Sequence, residues 1–138
     1  MEDCLFCSII SKKEKAYIIY EDEYVCCFLD RYPICKGHIL VVPKRHYIEF
    51  SDVDLKSLHK VIEVAQRIAV SLEELLGTDG ITVMQNNGIF KSVDHYHMHL
   101  VPRYRQDGFS WIEPENIVTN EEFAVITKDL KETIKRVE

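Results

Sequence analysis

No stretch of this 138-residue chain is apolar for anything near the roughly 20 residues that a bilayer-crossing helix needs. The start, Met1-Glu2-Asp3, is acidic where a secretory leader would be basic. Positive charge is also short: 17 Lys and Arg stand against 23 Asp and Glu, a net −6, which argues against a broad nucleic-acid surface while leaving room for a local phosphate site. Nor is there a disulfide framework. The five cysteines, Cys4, Cys7, Cys26, Cys27 and Cys35, are odd in number and unevenly spaced. Together these absences point to a protein of a reducing cytosol with its thiols free or on metal. Internal repeats and low-complexity segments are missing too. With 46% hydrophobic and 29% charged residues, the chain has what one globular core needs and too little length for two full domains.

What is present is concentrated in His95-Tyr-His-Met-His-Leu-Val-Pro-Arg103. Read as a β-strand, this run points successive side chains to opposite faces. His95, His97 and His99 share one face with Val101 and Arg103; Tyr96, Met98, Leu100 and Pro102 share the other, which is apolar enough to pack on a core. Burying three adjacent imidazoles without partners would cost several kcal/mol. The imidazole face therefore reads as a working surface.

The rest of the chain supplies a frame for that strand. Leu5, Phe6, Ile9 and Ile10 suggest one or two helical turns before a lysine-rich loop. Tyr17–Tyr20 and Tyr24–Leu29 read as a hairpin around Glu21-Asp22-Glu23, and Asp30 to Pro33 breaks the second strand. A turn at Lys36-Gly37 leads to a strand from His38 to Pro43, with Ile39 and Val41 on one face and His38, Leu40 and Val42 on the other. The clearest helix follows, capped by Ser51 or Asp52, with Leu55, Leu58, Ile62, Ala65, Ala69, Leu72 and Leu76 as its stripe and Gly77 as its stop. Ile81–Gln85 is the next strand and Asn86-Asn87-Gly88 a turn. A last helix begins near Asn120, striped by Phe123, Ile126, Leu130, Ile134 and Val137, a stripe suited to core or dimer packing. Strands on either side of one long helix argue for an α+β fold with a mostly antiparallel sheet.

The ordered set Cys4-x2-Cys7, the acidic hairpin before Tyr24, Phe28-Leu29-Asp30, Gly37-His38-Ile-Leu-Val-Val-Pro-Lys, Gln85-Asn86-Asn87-Gly88 and His95–Arg103 resembles the histidine triad (HIT) superfamily, in its Cys-x2-Cys zinc-containing subgroup. The resemblance covers residues 4–104 of a single domain spanning 1–138, with 105–138 as an extension. It implies a five-stranded, mostly antiparallel sheet with one long helix and a C-terminal helix. It also implies a homodimer whose two sheets join, a purine nucleotide or dinucleotide substrate, and no nucleic-acid or membrane partner. Family chemistry would make His97 the nucleophile toward an α-phosphorus, with His99 and His38 as the other catalytic histidines. Asp30 would hold the ribose, and Asn86 and Ser92 would meet phosphate and ribose. The subgroup closes a structural zinc site with two cysteines and two histidines, which here are Cys4, Cys7, His46 and His95.

The residues alone leave some of this open. His38 taken by itself suits a structural role as well as a functional one, Cys4-x2-Cys7 is only half of a metal site, and His59 on the long helix has no assigned role. The loop Ile89–Asp94 is about two residues shorter than the family's and offers Lys91 where glutamine is usual; that lysine either meets a phosphate oxygen or is solvated. Trp111 is a candidate for lining a base or leaving-group pocket. Two other functions fit the same strand: a metallohydrolase whose three triad histidines hold a catalytic zinc, and a nucleotide sensor without turnover.

Overall fold

The computed structural model describes residues 3–137. Five strands form one antiparallel sheet: β1 (Ile18–Glu21), β2 (Val25–Leu29), β3 (Ile39–Pro43), β4 (Gly80–Met84) and β5 (Met98–Arg103), in the order β1-β2-β3-β5-β4. Three α-helices accompany it: α1 (Leu5–Ile10), α2 (Leu55–Leu76) and α3 (Asn120–Arg136). No helix among the described residues is long and apolar enough to cross a membrane.

The side-chain alternation of the central strands builds two cores, one on each face of the sheet. Val25, Cys27, Ile39, Val41, Met98 and Leu100 turn toward α2 and meet Val61, Val64, Ala65, Ile68 and Leu72. Cys26, Phe28, Leu40 and Val42 turn the other way and meet Phe6 and Ile9 of α1. Each such side chain fully removed from water contributes about 1.5–3 kcal/mol, so both faces of β2 and β3 are held. The register Phe28↔Leu40, Leu40↔His99 and His99↔Met84 then lines up a row across the sheet that sets a histidine between Leu40 and Met84.

Local chemistry sets the ends of the elements. Asp54, not Ser51 or Asp52, caps α2: its carboxylate accepts the Ser57 amide, while Phe50–Asp52 form a separate 3-10 turn capped by Glu49. Gly77 closes α2 in the left-handed conformation at φ +60°. Gly37, at φ +92°, turns the chain into β3 directly beneath the end of α2, where an added Cβ would lie 2.8 Å from Leu76 Cδ1. The buried stripe of α2 runs through Val61, Val64, Ala65, Ile68 and Leu72, so Leu55 and Ile62 face outward. The expected stripe lay partly one position off, because several apolar residues of this helix sit side by side at 100° intervals.

Two further differences matter for the site. The ladder of β5 begins at Met98 and not at His95; the Tyr96 amide bonds instead to the Tyr47 carbonyl. Tyr96 nonetheless joins the core on the α2 face, so the alternation of faces extends through 95–97 without ladder pairing. And α3, although capped by a Thr119–Glu122 box, buries no residue, leaving Phe123, Ile126, Leu130 and Ile134 exposed. The stripe is not part of this chain's own core.

Candidate active site

Four buried or half-buried histidines gather on the α1 face, and the hydrogen bonds of their rings fix which nitrogen carries the proton. His97 Nδ1 lies 2.7 Å from the His95 carbonyl, which can only accept, so Nδ1 holds the hydrogen and Nε2 keeps its lone pair. His95 Nε2 donates to the Pro43 carbonyl at 2.8 Å, leaving Nδ1 as the lone-pair nitrogen. His38 Nδ1 accepts the Ile34 backbone amide at 3.0 Å, which puts the His38 hydrogen on Nε2. That Nε2–H donates to His99 Nδ1 at 2.9 Å, with Asp30 Oδ2 at 3.4 Å, so His99 in turn carries its hydrogen on Nε2.

Burial reinforces the neutral forms. It holds the His97 imidazole below its ordinary pKa, with the Lys91 charge acting in the same direction, and pushes His99 down to about 4 with the neighbouring His97 and His38. His38 is also lowered by burial, partly offset by Asp30. Around neutral pH the site thus presents an unprotonated nitrogen on His97 beside an N–H donor on His99, their ring centroids 5.0 Å apart.

His97 and His99 line a cavity of about 690 Å³ with Asp30 and Ser92. Its opposite wall is apolar: Leu5, Phe6 and Ile9 of α1 with Phe28, Leu29 and Leu40 of the sheet. Phe6 packs edge-on against His97 with centroids 5.1 Å apart, and against Phe28 at 5.3 Å. Asn86 is exposed and, like Lys91, is not among the lining residues. Lys91 is turned into an ion pair with Glu49 at 2.6 Å. Trp111 is exposed and also outside the lining.

His95 faces away from this cavity. Its Nδ1 lies 3.4 Å from Cys4 Sγ and 3.6 Å from Cys7 Sγ, and His46 Nδ1 lies 3.3 Å from Cys7 Sγ. One ligand atom from each of the four residues falls within 4.8 Å of the others. Two sulfurs and two imidazole nitrogens at such spacings fit a tetrahedral site for a borderline-soft ion, and the Pro43 bond leaves the coordinating nitrogen of His95 free to donate electrons. Burial and the neighbouring Cys4 push the Cys7 thiol up to about 11, a burden that a bound cation removes. Asp30, His38 and His99 form a second tight group. There the Ile34 amide already occupies His38 Nδ1 and forces a hydrogen onto Nε2, the atom a metal would need. The three triad histidines do not converge on one point, which speaks against a single catalytic metal held by all of them.

Phe6, Glu49 and the Ile34 amide escaped the reading of the sequence. Phe6 looked like an ordinary helix-core residue. Glu49 meets a lysine 42 residues further along the chain, and no periodicity links the two. A backbone amide leaves no residue-type signal at all.

The HIT domain family pattern matches residues 11–106. Protein hit of Bacillus subtilis is 42% identical over 115 residues, covering 78% of this chain and 77% of that protein. The crystal structure of a histidine triad nucleotide-binding protein from Candida albicans superposes with a TM-score of 0.87 at 27% identity, covering 99% of this chain and 100% of that one. A Zn-bound histidine triad family protein from Mycobacterium smegmatis superposes with a TM-score of 0.75 at 36% identity, over 83% of this chain and 85% of that one.

Proposed function

The chain belongs to the HIT family, and from that premise we propose that it is a nucleotidyl hydrolase or transferase acting on a purine nucleoside phosphate derivative: a phosphoramidate, a phosphoanhydride or a dinucleoside polyphosphate. The observation that carries this reading is the His97–His95 carbonyl bond, which leaves an unprotonated Nε2 at a cavity large enough for a nucleotide. The base lies against Leu5, Phe6, Ile9 and Phe28, and Asp30 holds the ribose. His97 Nε2 attacks the α-phosphorus; a phosphorus–nitrogen bond forms as the bond to the leaving group breaks. His99 donates its Nε2–H to the developing charge on the phosphoryl oxygens or the leaving atom, oriented from behind by His38. Water then cleaves the phosphorus–nitrogen bond and releases the nucleoside monophosphate. Ser92, which lines the cavity beside His97, is the polar side chain assigned to the phosphate side.

A burst of labelled nucleotide trapped as an acid-labile phosphorus–nitrogen adduct and mapped to His97 is the expected result with an adenosine phosphoramidate. An adduct on another residue, or substrate consumed with none on His97, would remove this mechanism. A nucleotide sensor without turnover is the second reading; the same trapping experiment decides it, since a sensor binds AMP and forms no adduct.

Zinc held by Cys4, Cys7, His46 and His95 is part of the proposal. When bound it supplies a cross-link between the start of α1 and the residue that orients His97, with all four positions filled by protein. Thiols needed in that role suit a reducing cytosol.

We also propose a homodimer. The outer edge of β4 carries no Lys, Pro or acidic residue and exposes Val83, whereas the β1 edge is interrupted by a bulge and ends in Glu21. The free edge of β4 suits pairing with its own copy, and the uncovered stripe of α3 suits a neighbour too, because most of a helix's stability comes from packing its apolar face. Sedimentation velocity is expected to give twice the chain's 16.2 kDa. A monomer at micromolar concentration would refute the pairing.

A further inference from the structure

The loop between β4 and the triad carries Lys91, and the structure gives that lysine a partner. Lys91 Nζ lies 2.6 Å from Glu49 Oε1 and 3.0 Å from the Gly88 carbonyl, with Asp94 Oδ1 at 3.4 Å, and its side chain is only 6% exposed. The other oxygen of the same carboxylate, Glu49 Oε2, accepts the Gly88 amide at 2.9 Å. One residue on, the Phe50 amide donates to Asn87 Oδ1 at 2.7 Å. Residues 87–91 are therefore stitched to residues 49–50 at both ends of a short 3-10 turn, Gly88–Phe90. Each ion favours the other's charged form: Lys91, with the Gly88 amide, holds the Glu49 carboxyl below the usual carboxylate range, and Glu49 raises the Lys91 amine.

The stitched segment ends where the chemistry begins. Ser92 and Val93, directly after Lys91, line the large cavity together with Leu5, and the same three residues also line a second opening of about 550 Å³ on their other side. That second opening also borders Cys4 and His46, so Ser92 and Val93 form the wall between the nucleotide cavity and the mouth of the cysteine–histidine cluster. A lysine that contacted phosphate would have to leave Glu49 uncovered, and a solvated one would not be so enclosed.

We propose that the Glu49–Lys91 pair is a latch that positions Ser92 and Val93 beside His97, making Glu49 and Lys91 positioning residues for transfer at the phosphorus and not ligands of the nucleotide. The inference rests on the nucleotidyl-transfer reading above. An ion pair that fixes a wall acts on the step in which that wall is approached, and misplacement of about 1 Å costs on the order of a hundredfold in the most sensitive cases. Base and ribose contacts lie on α1 and β2 and do not depend on it.

The test compares the unmodified chain with Glu49→Ala, Lys91→Met, the double variant and Lys91→Arg. The probes are adenosine 5′-phosphoramidates of anilines with graded amine basicity, together with AMP affinity and hydrogen exchange of the 88–93 amides. Either single change is expected to lower kcat roughly tenfold, most for the poorest leaving amines, with AMP affinity within about threefold. The double variant should lose no more than the worse single one, because both remove the same interaction. Lys91→Arg should recover most of the Lys91→Met loss, and exchange at 88–93 should quicken in both single variants. Additive losses, losses confined to AMP affinity, or exchange and kcat both unchanged would overturn the latch while leaving the nucleotidyl-transfer reading intact. An unmodified chain that cleaves none of the phosphoramidates, no adenosine phosphoanhydride and no diadenosine polyphosphate would overturn both.

Discussion

His97→Ala is expected to abolish measurable turnover, a fall of roughly 10³–10⁴-fold or more, while AMP affinity stays within about tenfold, or 1.4 kcal/mol. The asymmetry follows from where the ring sits. His97 is 3% exposed, packed edge-on against Phe6, and its Nδ1 is spent on the His95 carbonyl, so only Nε2 is left to act. In the proposed binding mode base and ribose rest instead on the α1–β2 wall and Asp30, which line the same cavity and which the substitution leaves in place. A drop in AMP affinity matching the drop in turnover would mean that His97 binds ground state and transition state alike and is not the nucleophile. Stopped-flow turnover together with calorimetric AMP titration on one preparation makes the comparison.

Cys7→Ser should do the opposite kind of damage. Cys7 is expected to hold metal with Cys4, His46 and His95, and the two cysteines sit at the N-cap and in the first turn of α1. Removing a structural ligand from such a set is expected to cost on the order of 3 kcal/mol or more, lowering Tm by roughly 10 °C. Because α1 contributes Leu5, Phe6 and Ile9 to the cavity, AMP affinity should fall more than tenfold as well, a coupling that His97→Ala lacks. Metal analysis of the unmodified protein should return one zinc per chain. Unchanged Tm and AMP affinity in Cys7→Ser would remove the structural site from the account.

How much of this could be read beforehand depended on the range of each interaction. Alternation along 96–101 was legible because the strand is packed on both faces, so its two sets of side chains differ sharply in kind: Tyr96, Met98 and Leu100 against His97 and His99. The start of the ladder was not, since Tyr96 takes its backbone partner from Tyr47, far away in sequence. Helix stops marked by glycine were plain at Gly77, whereas the cap at Asp54 competed with Ser51 and Asp52, and only the 3-10 turn before it breaks the tie. The cysteine–histidine set came from resemblance, and its four ligand atoms do gather in space. Lys91 drew attention as a misfit, but its partner was invisible in a one-dimensional string. The α3 stripe is legible as apolar from its spacing, but no described residue of this chain covers it.

The two-sided character of the ribbon 95–101 has a consequence for how such a protein tolerates change over generations. Swapping one residue for another alters either the packing behind the sheet or the chemistry in front of it, and seldom both, so the two can drift separately. Adding or deleting a single residue inside the ribbon is a different matter: it would exchange the inner and outer sets at a stroke, driving imidazoles into the oily layer and exposing Tyr96, Met98 and Leu100 where a ligand should sit. Length variation must therefore be absorbed outside the ribbon, as in the loop 89–94 that precedes it.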